Sequence, residues 1–360
     1  MFEPETYRLI YIIMTSLLVM YALFERVSFY QASRSESIQV LSNVVGCLFF
    51  LIWFWVVFGF RPVHSTFSDM VVYAYKFEMA SYSDLIGGSD VGWQFITNSL
   101  SKLVSVNQYF SIILFIQLIS IFIYVYKDKS STKILLLSYI FLNPFLFTNL
   151  TGIIRNGLAI SLVLIGLTYS SRIRELLFFL AITIHASVLL PISVFYFTFF
   201  STNYKRFELI WFVTLIFSYF GLSNFLLSPF LPYFDDRLLA YVTLDASTVN
   251  GSNWGFRWDF IVFSVIPMLF SRWSLSYRDS YLLRRNYCIY ILCNSFWILM
   301  ISVPFSDRFA HLSWFLYGIL LYQSTNNIGR LNSKFRILNP ILHAFNVIWL
   351  SAFSYILLVY

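Results

Sequence analysis

The chain has 360 residues, of which 59% are hydrophobic and only 11% are charged, and its mean hydropathy is +0.73. About a quarter of the residues in a soluble domain are charged, so this composition excludes an ordinary soluble protein. The net charge of +7 is typical of the basic loops that orient a membrane protein, and we predict no nucleic-acid partner.

Apolar runs that are long enough to cross a bilayer recur along the whole sequence. The first run follows Glu3 and Glu5 and lacks a basic flank, which indicates a retained helix rather than a signal peptide. The predicted spans lie at about 7–24, 38–60, 107–126, 133–150, 152–170, 208–226, 258–271, 286–304, 309–324 and 338–359.

The segment 175–200 is too long for one crossing and too short for two full crossings. Basic residues flank both of its ends, so the positive-inside rule places both ends in the cytoplasm. A short hairpin of two helices satisfies this rule, with His185 near the turn and Pro191 early in the returning arm. The sequence therefore predicts an all-α polytopic membrane protein with about 12 helical membrane segments, forming one transmembrane domain over residues 1–360.

The distribution of charge predicts the orientation. Most of the 24 Lys and Arg residues fall in segments that this topology places in the cytoplasm, with both termini outside. The two large loops, at about 61–107 and 227–257, then lie on the outer face, whereas the inner loops are short. We therefore expect the protein to work at its outer face.

Arg155 lies inside the apolar run TNLTGIIRNGLAISLVLIGLTY. The residues that share its side of a continuous helix are small or polar: Thr151, Gly152, Asn156 and Ala159. A charge in the middle of a membrane helix costs about 2.5–3.5 kcal/mol, so we expect Arg155 to be paired or used. The alternative is an interface anchor, although basic anchors are disfavoured at an outer helix end.

The first large loop begins with Arg61 at the end of a predicted span. A short helix is predicted next. A spacing of four residues places Asp69, Tyr73 and Phe77 on the same side of this helix. Asp69 is either a functional residue or an acidic residue that is simply exposed to solvent.

A second short helix is predicted after Gly87 and Gly88, with Asp90 as its N-cap. Its apolar side is suited to lying on the membrane surface and consists of Trp93, Ile96, Leu100 and Leu103. Asp90 has a purely structural interpretation as a cap.

Other candidates lie further along the chain. His185 is either a functional group or a packing residue, and Asp307 with Arg308 is either part of a site or a neutral surface pair. The second large loop combines aromatic residues with acids, which suits carbohydrate binding and an interfacial belt equally well. Asp235 and Asp236 are adjacent and give only weak support for a metal, so no metal or cofactor is predicted.

Three arginines stand out because each lies at an outer span end: Arg61, Arg155 and Arg308. A guanidinium is planar, permanently charged and able to bind phosphate with two hydrogen bonds. We therefore predict a site for a lipid phosphate or diphosphate, with nearby acids and a histidine as candidate general bases.

These motifs, in this order over about residues 58–309, resemble those of the EpsG/Wzy-like polysaccharide polymerases of bacterial inner membranes, which include O-antigen polymerases. The matching positions are Arg61, Asp69 with Tyr73, Asp90 to Trp93, Arg155 with Asn156, His185-Ala-Ser187 with Pro191, and Arg308. Two positions depart from the family pattern, since Asp90 replaces a Glu and Asn156 replaces a Gln.

The resemblance implies a fold like that of C-type glycosyltransferases and a metal-independent transfer of glycan at the periplasmic face. The resemblance implies that the donor and the acceptor are both oligosaccharides linked to undecaprenyl diphosphate. The other implied partners are membrane lipids and, as a candidate, a chain-length regulator. The implied catalytic residues are Asp69, then His185 and Asp90; the implied diphosphate ligands are Arg61, Arg155 and Arg308; the implied substrate contacts are Tyr73, Trp93, Asn156 and Asp307.

Two alternatives stay open. An O-antigen ligase, or another lipid-sugar glycosyltransferase, would share the arginines and the base. A transporter or flippase for lipid-linked sugars is less favoured, because the charged candidates lie at the outer helix ends and no internal repeat is evident.

Overall fold

The computed structural model describes residues 2–31, 36–84, 90–128, 132–170, 172–223, 256–303, 306–329 and 333–359. Every regular element in this part of the chain is a helix, which confirms the predicted all-α class. The second large loop lies almost wholly outside the described residues, and so do Asp235, Asp236, Gly87 and Gly88.

The chain divides into two compact units, Met1–Val188 with Ala344–Tyr360, and Leu189–His343. The helices that begin in the first unit are α1 (Thr6–Gln31), α2 (Glu36–Gly59), α3 (Met70–Tyr82), α4 (Val91–Ser101), α5 (Val106–Lys127), α6 (Lys133–Phe141), α7 (Pro144–Thr151), α8 (Ile154–Gly166) and α9 (Arg172–Ile184). Those that begin in the second are α10 (Leu189–Phe197), α11 (Tyr204–Tyr219), α12 (Trp258–Tyr277), α13 (Tyr281–Leu299), α14 (Asp307–Trp314), α15 (Tyr317–Gly329) and α16 (Ser333–Val359), whose last part belongs to the first unit.

Among the described residues, four segments are long and apolar enough to cross a membrane: Thr6–Glu25, Val40–Gly59, Val106–Lys127 and Trp258–Tyr277. Helices α6 and α7 together pass the same test as a fifth span, although they meet at a bend of 78°. A membrane-integral protein is consistent with these segments, whereas the count of about 12 membrane segments stays a prediction.

The predicted span 133–150 is interrupted, and the helix in the predicted span 152–170 covers only Ile154–Gly166. Asn143 and Pro144 start a new helix, because the Asn143 side chain accepts a hydrogen bond from the backbone N–H of Phe145 and proline fits the first helical position. Helix α7 then ends where the N–H groups of Gly152 and Ile153 both donate to the carbonyl of Thr148. Thr151 and Gly152 therefore do not share a helix with Arg155, and the predicted continuous polar side is wrong.

The first large loop contains the two predicted short helices, α3 and α4. The apolar side of α4 differs from the prediction at Trp93, which is buried within the protein, as is Thr97. Leu103 lies just beyond α4 and is 76% exposed, as expected for a residue at the membrane surface. Trp93 is buried in the first unit, where its ring packs against those of Tyr73 and Tyr109 at centroid distances of 5.5 and 6.0 Å.

The segment 175–200 consists of two short helices, as predicted. Helix α9 ends at Ile184, a 3₁₀ turn covers Ala186–Val188, and α10 follows directly. His185 lies at this junction, where its backbone N–H still donates to the Ala181 carbonyl.

Candidate functional site

A buried ion pair forms the centre of the candidate site in the first unit. Arg155, the second residue of α8, donates from Nη1 to Oδ2 of Asp90 at 2.6 Å. The Asp90 side chain is only 3% exposed, whereas that of Arg155 is 19% exposed. The carboxylate is thus inside the protein, whereas part of the Arg155 side chain is accessible.

The second oxygen of Asp90 contacts the junction between α9 and α10. Oδ1 accepts a hydrogen bond from the backbone N–H of Ala186 at 3.1 Å and lies 3.8 Å from Nδ1 of His185. Asp90 occupies the N-cap position of α4, as predicted, but its side chain does not cap that helix. Sequence reasoning missed the Ala186 contact because a backbone N–H has no signature in the sequence.

A close approach of α4 and α9 makes this contact possible. A Cβ atom at Gly92 would lie 2.4 Å from Oγ1 of Thr183, so only glycine fits between the helices at this point. The missing side chain lets the start of α4 reach the end of α9. Asp90 and His185 meet there as a result.

The start of α8 is fixed by amide side chains. Gln117 of α5 donates from Nε2 to the carbonyl of Ile154 at 2.9 Å, and Asn156 donates from Nδ2 to Oδ1 of Asn149 at 3.2 Å. Both Gln117 and Asn156 are buried. Sequence reasoning did not single out Gln117, although a glutamine in the apolar span 107–126 was a usable signal.

Tyr73 and Trp93 contribute packing beside this centre, since both rings are buried and contact each other. Asp69 is half-buried at the N-cap position of α3 and makes no capping hydrogen bond. Ser68, directly before it, has a φ of 52°, in the left-handed region that is costly for residues other than glycine.

Arg61 lies in the same unit, but its terminal nitrogens are bound by the protein backbone. Nη1 donates to the Phe58 carbonyl at 2.7 Å and Nη2 to the Thr151 carbonyl at 2.6 Å, so one guanidinium binds the ends of α2 and α7. The side chain is only 1% exposed. Burial lowers the pKa of the Arg61 guanidinium to about 9, which still leaves it charged at neutral pH.

Asp307 and Arg308 belong to the second unit, where both are half-buried at the start of α14. Within that unit Arg257 pairs with Asp259 through two hydrogen bonds of 2.9 and 2.6 Å. The structure thus brings Asp90, Arg155 and His185 together in the first unit. The individual roles of the ten candidate residues remain predictions.

The sequence profile of the EpsG family matches residues 43–360. The chain belongs to the EpsG family. The match includes Asp90, Arg155 and His185, and it confirms the resemblance that the sequence motifs indicated. Comparison with curated proteins and with solved structures found no match. Membership of the EpsG family fits a membrane protein with a polysaccharide polymerase-like, glycosyltransferase-like role.

Proposed function

We propose that this EpsG-family protein is a polysaccharide polymerase of the bacterial inner membrane. It transfers a glycan chain from undecaprenyl diphosphate onto a lipid-linked repeat unit at the periplasmic face. The observation that carries this proposal is the Arg155–Asp90 pair, in which a buried carboxylate binds the guanidinium of a partly exposed arginine side chain at the start of a helix. Both the guanidinium and the positive end of the α8 dipole favour a bound diphosphate.

The proposed reaction forms one bond and breaks one bond. The acceptor hydroxyl oxygen attacks the anomeric carbon of the donor sugar, and the bond from that carbon to the diphosphate oxygen breaks. The electron pair leaves with undecaprenyl diphosphate, and the hydroxyl proton passes to a base on the protein. Arg155 stabilises the negative charge that develops on the leaving diphosphate, without a metal.

Asp69 and His185 are the leading candidates for the base, and Asp90 is the third. The sequence favours Asp69, because it lies in a loop. The structure supports His185 instead, because its ring lies beside the carboxylate that binds Arg155, and an imidazole titrates near neutral pH.

The finer architecture is part of this proposal. It comprises about 12 membrane segments, two periplasmic loops at about 61–107 and 227–257, and a single domain of C-type glycosyltransferase character. The sequence also predicts Arg61 and Arg308 as diphosphate ligands, although the backbone contacts of Arg61 favour a structural role for it. Tyr73, Trp93, Asn156 and Asp307 are the candidate substrate contacts. A chain-length regulator is a candidate partner.

The experiment is a deletion of the gene followed by complementation. We expect the deletion strain to carry single repeat units on its surface lipid, and the wild-type gene to restore long chains. Arg155→Lys should lower polymer formation at least about tenfold, because a point charge does not replace a two-pronged guanidinium. Arg272→Lys, which keeps the charge of an arginine whose side chain is 65% exposed beside Glu208, is the matched control and should restore long chains.

Two other outcomes would contradict the proposal. Surface lipid that carries no repeat units in the deletion strain would indicate a ligase. Purified protein that moves lipid-linked sugars across a membrane, but does not lengthen glycans in detergent, would indicate a transporter.

A further inference from the structure

We propose that Asp90 is a positioning residue that holds Arg155 and His185 in place, and that it is not the base of the reaction. This inference rests on the proposed function, because it assigns the roles of residues within the same site.

The first argument is access. A general base must come within about 2.6–3.2 Å of the acceptor hydroxyl, or act through one water. Both oxygens of Asp90 already have protein partners, Arg155 Nη1 at 2.6 Å and the Ala186 N–H at 3.1 Å. With 3% of its side chain exposed, the carboxylate has no surface to offer a sugar hydroxyl.

The second argument is charge. A base becomes neutral when it takes up a proton, and Asp90 would then leave the Arg155 guanidinium without its counter-ion. Protonation would weaken the charge-assisted hydrogen bond that holds Arg155 at the step in which this guanidinium stabilises the leaving diphosphate. Asp90 is therefore suited to remain an anion throughout the reaction.

The third argument is the connection between two elements. Arg155 comes from α8 and His185 from the end of α9, and Asp90 contacts both with different oxygens. Oδ1 of Asp90 accepts from the N–H of Ala186, the residue after His185, at 3.1 Å and so fixes the turn that carries the imidazole. It also lies 3.8 Å from Nδ1 of His185, where its negative charge favours a proton on Nδ1 and leaves Nε2 to accept one. A base oriented by a third group in this way is a recurring arrangement in active sites.

The test measures binding of farnesyl diphosphate to the purified full-length protein in detergent. Asp90→Asn should weaken binding about tenfold or more, as Arg155→Gln does, because both changes disturb the same guanidinium. The double variant should bind no more than about twofold more weakly than Arg155→Gln alone, since Asp90 acts through Arg155. Asp90→Glu keeps the charge and should bind within about threefold of wild type.

The control is Asp84→Asn, at an exposed ion pair with Lys102, which should bind as wild type. A base that acts on the acceptor sugar has no effect on diphosphate affinity. Wild-type affinity in Asp90→Asn would therefore overturn the positioning role and leave the proposed function intact. Wild-type protein that binds no prenyl diphosphate would instead contradict the proposed function.

A second measurement applies if Asp90→Asn alone does not fold. The double variant removes both charges together and leaves no unpaired buried charge, so it is expected to fold at least as well as either single variant. Its residual polymerisation should be within about tenfold of that of Arg155→Gln, whereas loss of a general base would lower it by a further factor of about 10²–10⁴. A drop of that size would overturn the positioning role.

Discussion

Arginines that look alike in the sequence have different environments in the structure. Arg61 and Arg155 are both predicted at outer span ends, yet Arg61 binds two backbone carbonyls and Arg155 binds a carboxylate. The Arg61 side chain is completely enclosed, whereas part of the Arg155 side chain is accessible. The neighbours of each side chain, which are remote in sequence, decide whether it can meet a ligand.

Arg61→Met is expected to lower the stability of the protein. The change removes two charge-assisted hydrogen bonds and leaves the carbonyls of Phe58 and Thr151 without these donors, so we expect a loss of about 2–4 kcal/mol in the free energy of unfolding. Thermal unfolding in detergent measures this loss of stability. The control is Lys102→Gln, at the exposed ion pair with Asp84, which should change the stability by about 0–1 kcal/mol. A variant as stable as wild type that forms no polymer would favour the ligand role for Arg61.

The identity of the base is tested by a pair of variants. His185→Ala should lower polymer formation by a factor of about 10²–10⁴, and Asp69→Asn should have a smaller effect. Chain length on the surface lipid is the measurement. Loss of polymer in Asp69→Asn alone, with normal chains in His185→Ala, would restore Asp69 as the base.

At the level of elements, the breaks around α7 place the start of α8 at the site. Asn143 and Pro144 are visible in the sequence as helix-starting residues, so the break before α7 was open to prediction. The break after α7 depends on hydrogen bonds from the N–H groups of Gly152 and Ile153 to the Thr148 carbonyl. The hydropathy of this stretch does not reveal the break, because a continuous span would have the same apolar residues. Sequence reasoning therefore found the arginine and missed that it begins a helix.

Gly157→Ala is a test of this geometry. Alanine usually stabilises a helix by about 0.5–1 kcal/mol relative to glycine. Here a Cβ atom would lie 2.1 Å from the Asn149 carbonyl oxygen, which is backbone and cannot move aside cheaply. We expect a net destabilisation of about 1–3 kcal/mol and loss of polymer, because α7 and α8 must separate.

Thermal unfolding and chain length measure the effect of Gly157→Ala. Ser161→Ala, one turn further along α8, is the control, since its hydroxyl bonds only to the Gly157 carbonyl of its own helix among the contacts described. A Gly157→Ala protein that is more stable than wild type would contradict the close packing of α7 on α8.

At the level of the whole molecule, the charges of the loops predict the orientation in the membrane. The positive-inside rule places the loop with Asp84 outside and the loop with Lys205 inside. Both positions are exposed, and the native cysteines Cys47, Cys288 and Cys293 are buried. A cysteine introduced at either position should therefore be labelled with little background from the native cysteines.

We expect Asp84→Cys to react with a membrane-impermeant maleimide in intact cells, or in spheroplasts if an outer membrane blocks the reagent. Lys205→Cys should react only after the membrane is opened. The measurement is the labelled fraction before and after permeabilisation. The reverse pattern would invert the topology and place the Arg155 site on the cytoplasmic side.

The sequence alone determined the membrane-helix class, most helix positions and the family, because hydropathy, helical periodicity and motif order are properties of short stretches read one after another. Only the tertiary structure decided which groups meet. Asp90 binds Arg155 across 65 residues and Ala186 across 96, and the close approach at Gly92 makes the second contact possible. Such contacts depend on how closely helices pack, which no local pattern encodes.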